Sequence, residues 1–169
     1  MNLRAESPRD FDAIRALHLA AFVPSEFEAD IADDLRRADD HVPELCLVAL
    51  DDTTIAGHVM LSHAHVEEHP VLALGPIGVV PGHQHLGVDS ALMHEVIERA
   101  SRTEYPLIAL LGHPTYYPRF GFVRARTLDI LPPEHLGAID KAWMARPAPT
   151  WTPTVRGRVT YPSYFAELD

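Results

Sequence analysis

The stretch from Leu74 to Asp89 reads LGPIGVVPGHQHLGVD. Together with the residues just before it, its first half has the apolar character of a buried strand over Val71–Val80, yet Gly75, Pro76 and Gly78 fall inside it. Pro76 has no N–H to give to a ladder, and glycine in a strand interior often marks close approach by a ligand or another backbone. These residues predict a strand whose pairing fails partway, leaving backbone groups at Ile77, Gly78 and Val79 for another partner. The second half, His83-Gln84-His85-Leu86-Gly87-Val88, is a glycine-containing turn that runs straight into a helix over Ser90–Arg102, with Leu92, Val96 and Ala100 on one face. The first N–H groups of such a helix have no partners within it, so a helix start behind a glycine turn suits an anion. An ordinary strand–turn–helix connection reads the same way.

Upstream, Ser7-Pro8-Arg9-Asp10 is a helix start, with Ser7 as the cap and Asp10 complementing the positive end of the dipole. Phe11, Ile14, Leu17 and Ala21 follow at helical spacing. Ser25-Glu26-Phe27-Glu28 forms a capping box for a second helix, whose stripe is Phe27, Ile31 and Leu35. Leu45–Leu50, a turn at Asp51–Thr54 and Ile55–Val66 predict an antiparallel hairpin. Downstream, Leu107–Leu111 is a strand, Thr115–Phe120 has helical potential, and Phe122-Val123 is extended. From Pro132 to Pro153 prolines are frequent and periodicity disappears, which predicts a loop-rich stretch before a closing strand at Val155–Tyr161. With no linker or repeat, the expectation is one domain over residues 1–169, of which 132–169 is the loop-rich C-terminal part.

Size and composition agree with that. The chain has 169 residues, 47% hydrophobic and 22% charged, ordinary values for one folded domain. No apolar run reaches the roughly 18 residues of a membrane helix, and the first residues lack the apolar segment of a secretion signal, so the cytoplasm is the expected location. Cys46 is the only cysteine; it excludes an internal disulfide and reads as core filler. The net charge of −10 is uneven: −8 over residues 1–53, −4 over 54–118 and +2 over 119–169. Nucleic acid and anionic membrane are bound through clustered Lys and Arg, so neither is expected as a partner. The acidic N-terminal part is read as a solvated face that also suits a cationic ligand.

A second informative stretch is Gly112-His113-Pro114-Thr115-Tyr116-Tyr117-Pro118-Arg119-Phe120-Gly121-Phe122. Its aromatics would serve as core filling with Gly121 as a helix stop, or one tyrosine hydroxyl projects into the cleft opened by the broken strand. Together the two stretches resemble the GNAT superfamily of N-acetyltransferases, over roughly residues 2–125 in element order. The specific parts are the Gln-x-x-Gly-x loop at Gln84–Val88 and Tyr-x-x-x-Gly-Phe at Tyr117–Phe122, and the wording GHPxYYPRFGF is similar to that of one bacterial subgroup. The resemblance implies an α/β (α+β) fold with a mixed, mostly antiparallel central sheet, splayed strands 4 and 5, and helices on both faces. It implies acetyl-CoA as co-substrate, with no metal, and direct attack on the thioester by a primary amine of a small molecule or protein. Ile77 and Val79 would hold the pantetheine arm through their main chains beside Gly78, and the Val79 N–H would also face the developing oxyanion. Gln84, His85, Leu86, Gly87, Val88, Asp89 and Ser90 would cradle the pyrophosphate, and the cofactor surface extends to Tyr116, Arg119 and Phe120. Tyr117 falls on the position of the general acid that protonates the leaving thiolate. Dimers are common among proteins of this appearance, so a homodimer is compatible with the reading.

The chain departs from that pattern in two places. Asp89 stands where the loop normally ends in Gly or Ala, and no Lys or Arg occurs from Thr54 to Glu98. A carboxylate there caps the helix and repels phosphate, while His83 and His85 compensate when protonated. Pro76 stands where many relatives carry a glutamate base; Glu67, Glu68, His63 and His65 are the substitutes nearest the strand. Two other readings follow: a catalytically weakened module with a ligand-binding or regulatory role, and a metal-binding domain on His63-x-His65-x-x-x-His69. His113 reads as a structural turn residue.

Overall fold

The computed structural model describes residues 1–136 and 140–161, which form two compact units. One consists of residues 1–62 with 75–100, the other of residues 63–74 with the chain from Ser101 on. The architecture is mixed α/β with a mostly antiparallel sheet.

In the first unit, β1 (Asn2–Ala5) pairs antiparallel with β2 (His41–Asp51), and β2 with the start of β3 (Thr54–Val66). Two helices, α1 (Phe11–Ala21) and α2 (Phe27–Arg37), separate β1 from β2. Ser7 opens a short 3₁₀ turn, Pro8–Asp10, ahead of α1. Asp10 does more than complement a dipole: its buried carboxylate accepts both terminal nitrogens of Arg4 (2.7 and 3.0 Å) and the Ser7 N–H (2.8 Å). α1 buries Ile14, Leu17 and His18, and α2 buries Ala29, Ile31, Ala32 and Leu35. α3 (Val88–Ser101) buries Val88, Leu92, Met93 and Val96. Val88 and Leu92 lie directly against the backbone of Gly57 on β3, where any side chain would collide with them. Successive strand residues face opposite sides, so Gly57 points to α3 while His58, next to it, points to the side of α1.

In the second unit the start of β4 (His69–Val79) pairs parallel with β5 (Leu107–Leu111), through Leu72↔Ile108 and Ala73↔Ala109. That ladder stops at Ala73, although β4 continues to Val79. Gly75 at φ 144° and Pro76, which lacks an N–H, follow directly. β8 (Trp143–Pro147) pairs antiparallel with the whole of β5 and, on its other edge, with β6 (Val123–Arg124). The Pro132–Pro153 stretch, expected to be loop, therefore contains an interior strand. Trp143, Met144 and Ala145 are all buried there, and the Trp143 indole N–H donates to the Ile130 carbonyl at 3.1 Å. Pro147 ends the pairing. The closing strand is β9 (Gly157–Thr160), which pairs antiparallel with the end of β3 and parallel with β7 (Ile130–Leu131). Residues 137–139 and 162–169 of the C-terminal stretch lie outside the described residues. No helix among the described residues is long and apolar enough to cross a membrane.

Candidate functional site

In the first unit the Val80 N–H donates to the Ala56 carbonyl at 2.9 Å, which ties the end of β4 to β3. A strand residue's N–H and C=O share a direction that alternates along the chain. Gly78 therefore faces β3 with its main chain, and the main-chain groups of Ile77 and Val79 face away from it. One of these is engaged: the Val79 carbonyl accepts the Gln84 side-chain amide at 3.1 Å. Gln84 thus braces the turn against the strand it follows.

The turn itself begins with a 3₁₀ segment, Pro81–His83, and passes through His85 at φ 64° and Gly87 at φ 85°. Gly87 takes the left-handed conformation without the Cβ penalty other residues meet. The Ala91 N–H donates to its carbonyl at 3.0 Å, the first internal bond of α3; the N–H groups before it point out of the helix end. Gln84, His85, Leu86 and Gly87 are exposed, and Asp89 and Ser90 half-buried. His83 Nε2 lies 2.8 Å from the carboxylate of Asp51, the last residue of β2.

Behind the end of β4 lies a set of residues that sequence reasoning missed. Glu6 accepts two bonds from the Arg36 guanidinium (3.0 and 2.8 Å), and His58 Nε2 approaches Glu6 Oε2 at 2.8 Å. His58 Nδ1 in turn lies 2.8 Å from His18 Nε2. His58 and His18 are fully buried, and the Glu6 side chain is 4% exposed. Burial opposes ionisation of Glu6, but hydrogen bonds from His58 and Arg36 overcome it and bring its carboxyl down to about 2. Burial lowers both histidines; for His18, reinforced by His58 and Arg36, the value falls to about 3. The residues lie far apart in sequence. The available signals were a histidine on the apolar stripe of α1, between Leu17 and Ala21, and another within the apolar run Ala56–Leu61.

The second unit holds the tyrosine turn. A 3₁₀ segment, Tyr117–Phe120, ends at Gly121 in the left-handed conformation (φ 89°), and the Phe120 carbonyl accepts Arg146 Nε at 2.8 Å. Tyr117 is half-buried, edge-on to Tyr116 (4.9 Å) and Phe122 (5.9 Å), with its ring against the backbone of Gly112. Phe120 and Phe122 are buried. Exposed Arg119 lies 4.6 Å above the Tyr116 ring and donates to the Tyr116 carbonyl.

Most of the residues suggested as bases or metal ligands are otherwise engaged. His63 Nδ1 meets the Tyr105 hydroxyl at 3.0 Å, the Glu67 carboxylate accepts the Arg158 N–H at 3.0 Å, and exposed Glu68 lies 3.7 Å from His69. His65 is exposed. Among the described residues no three His, Cys, Asp or Glu side chains converge as a metal site. Burial pushes the Cys46 thiol far above its ordinary range, and its sulfur contacts the Val42 and Leu61 carbonyls. It is not poised as a nucleophile.

Known proteins share this fold. The chain is 32% identical over 117 residues to an uncharacterized N-acetyltransferase, YjhQ, of Escherichia coli K12, covering 67% of this chain and 64% of that protein, just under two thirds of its length. It is 32% identical over 133 residues to a second uncharacterized N-acetyltransferase of that strain, YhbS, covering 77% of this chain and 78% of the relative. The crystal structure of E. coli YhbS in complex with CoA superposes with a TM-score of 0.89 at 25% identity, covering 99% of this chain and 93% of that one. A GNAT family acetyltransferase from Brucella melitensis in complex with acetyl-CoA gives 0.78 at 27%, covering 97% of each. The sequence profile of the acetyltransferase (GNAT) family matches residues 11–122, from the first residue of α1 to the last residue of the tyrosine signature. Since that span holds well over half of the chain, including the broken strand and both motifs, the protein belongs to the GNAT family of N-acetyltransferases.

Proposed function

We propose that the protein transfers the acetyl group of acetyl-CoA to a primary amine of a small molecule or protein by direct attack in a ternary complex. The observation that carries this reading is the end of β4. Its ladder with β5 stops at Ala73, and the main-chain groups of Ile77 and Val79 face away from β3. An extended pantetheine arm completes such an edge as a further strand would, with the Val79 N–H facing the thioester oxygen. The diphosphate rests on the turn from Gln84 to Gly87 and the α3 start at Val88, Asp89 and Ser90; Tyr116, Arg119 and Phe120 extend the cofactor surface. Tyr117 protonates the departing thiolate. Acetyl-CoA is the co-substrate, as its presence in the Brucella relative supports, and a cytoplasmic location fits the supply of that thioester inside cells.

Heating the protein with acetyl-CoA tests this. At a hundred times the dissociation constant, a ligand that binds only the folded state adds about 2.7 kcal/mol. The melting temperature is therefore expected to rise by several degrees; an unchanged value refutes the proposal.

Asp89 favours a second reading, a catalytically weakened module that retains binding. The carboxylate occupies the first turn of α3, where it favours the helix but opposes a diphosphate. Replacing Asp89 with Ala is expected to tighten acetyl-CoA binding several-fold, about 1 kcal/mol, from relief of like-charge repulsion near the surface. The same change lowers stability by about 0.5 kcal/mol through the helix dipole. Calorimetric titration and urea melts of the two proteins measure both. Equal affinities would show that Asp89 does not face the diphosphate. Multiple turnover with any amine excludes the weakened-module reading.

A further inference from the structure

The buried residues Glu6, His58 and His18 have a direction that chemistry imposes. Two bonds from Arg36 hold Glu6 as a carboxylate, and a carboxylate only accepts. His58 Nε2 must therefore carry the hydrogen toward Glu6. In a neutral imidazole this leaves Nδ1 as an acceptor, so the hydrogen of the next bond sits on His18 Nε2. His18 Nδ1 is then a bare lone pair. It is buried and has no hydrogen-bond partner, in a side chain only 1% exposed. Buried polar atoms without partners are rare enough to call for an explanation.

The location of that atom supplies one. His18 Nδ1 lies 2.8 Å from the point where a Cβ on Gly78 would stand, and Phe22 borders the same point at 3.1 Å. Gly78 sits between Ile77 and Val79, the two residues with outward main-chain groups. β4 (HPVLALGPIGV) offers no carboxylate of its own. A thioester lying along the strand edge has its carbonyl near the sheet plane, so a nucleophile must come from one face. α3 closes the face to which Gly57 points; His18 stands on the face of α1. Phe22 is half-buried and is followed by exposed Val23, so an amine reaches the buried lone pair only when the Phe22 ring moves aside.

We propose that His18 is the proton acceptor of the acetyl transfer, held in its working tautomer by His58 and Glu6. This rests on the acetyltransferase reading and supplies the base that it lacks. As the amine nitrogen bonds to the thioester carbon, its proton passes to His18 Nδ1. The imidazolium that forms is held through its Nε2 hydrogen by His58 Nδ1, and His58 in turn by the Glu6 carboxylate, which stays ionised. The carbon–sulfur bond breaks, and the thiolate takes the Tyr117 proton. Products are the amide and the free thiol; His18 then gives its proton to solvent, from which the phenolate is reprotonated. The charged and titratable groups around His18 are His58 on β3, Glu6 after β1, Arg36 on α2 and, beyond His58, Asp10. Burial keeps His18 neutral at every pH above about 3, so its lone pair stays open across the working range, while the same burial makes it a weaker base than an ordinary imidazole.

Two measurements test the proposal. Nitrogen-15 spectra of the unaltered protein should show both histidines as neutral Nε2–H tautomers from pH 8 to pH 5, whatever the acceptor; Nδ1–H on His18, or a charged ring above pH 6, overturns it. The second uses His18→Gln, which keeps an N–H toward His58 but puts a non-basic amide oxygen in place of the basic nitrogen, with the best amine from a panel of alkylamines, polyamines and peptide N-termini. At pH 7 kcat should fall about a hundredfold, within the range for general bases, while the dissociation constant of acetyl-CoA is unchanged. The variant's kcat should then climb about tenfold per pH unit as hydroxide replaces the base, against a flat profile in the unaltered enzyme. A parallel loss at all pH values, or no loss, overturns the assignment. Failure of the unaltered protein to bind acetyl-CoA instead refutes the acetyltransferase reading. If the variant does not fold, the spectra alone decide.

Discussion

Replacing Tyr117 with Phe is expected to lower kcat at pH 7 about a hundredfold, in line with the usual contribution of a positioned general acid, with little change in acetyl-CoA affinity. The ring should stay where it is, because its neighbours Tyr116, Phe122 and the Gly112 backbone touch carbon atoms, which phenylalanine retains. What goes is one proton. A phenol of pKa about 10 can hand it to a thiolate whose acid has pKa near 8.5 if the geometry is fixed. The pH dependence separates this role from a structural one. Above about pH 8.5 the thiol ionises unaided, so the deficit should shrink as the solution becomes alkaline. A deficit independent of pH would mean that the hydroxyl holds structure, and no deficit would mean that the acid is another group.

Acidification from pH 7 to pH 4.5 is expected to cost several kcal/mol of folding stability, a large share of the 5–15 typical of a domain. His18 is neutral in the fold down to about 3, whereas in the unfolded chain it takes up a proton near pH 6.5. Below 6.5 the unfolded state therefore binds more protons, and stability falls with pH. By pH 4.5 this residue alone removes about 3 kcal/mol. His58 is shifted in the same direction by burial. Glu6 and Asp10, both brought down to about 2, extend the loss into the window from about 4.5 to 2, where the unfolded chain is already protonated and the fold is not. Urea melts at half-unit pH steps measure the slope, and His18→Gln should flatten it above pH 4.5. A midpoint constant from pH 7 to 5 would mean that the histidines are charged in the fold.

Most of the local geometry around the end of β4 and the turn behind it could be read from local chemistry. A proline and two glycines within four strand residues mark where a ladder must stop, and the pairing of β4 with β5 ends at Ala73, just before them. The left-handed residue of the turn, the helix behind it and the glycine that ends the tyrosine segment were visible for the same reason, since each requirement lies within a few neighbours. β8 was not. Its strand signal is the short apolar group Trp143-Met144-Ala145 among prolines, and what makes it a strand is pairing on both edges with β5 and β6. Glu6, His58 and His18 were hidden in a different way. Each looks unremarkable in its own segment, and the need of a buried polar atom for a partner appears only when β1, α1 and β3 meet.

One consequence of the contact at Gly78 concerns how the sequence can change. The imidazole of residue 18 already fills the volume that a methyl group at position 78 would claim. Alanine there would force the ring aside and break its link to His58, while a small residue at 18 alone would leave a void beside an unsubstituted backbone. Side-chain volume can therefore be exchanged between the two positions only in concert.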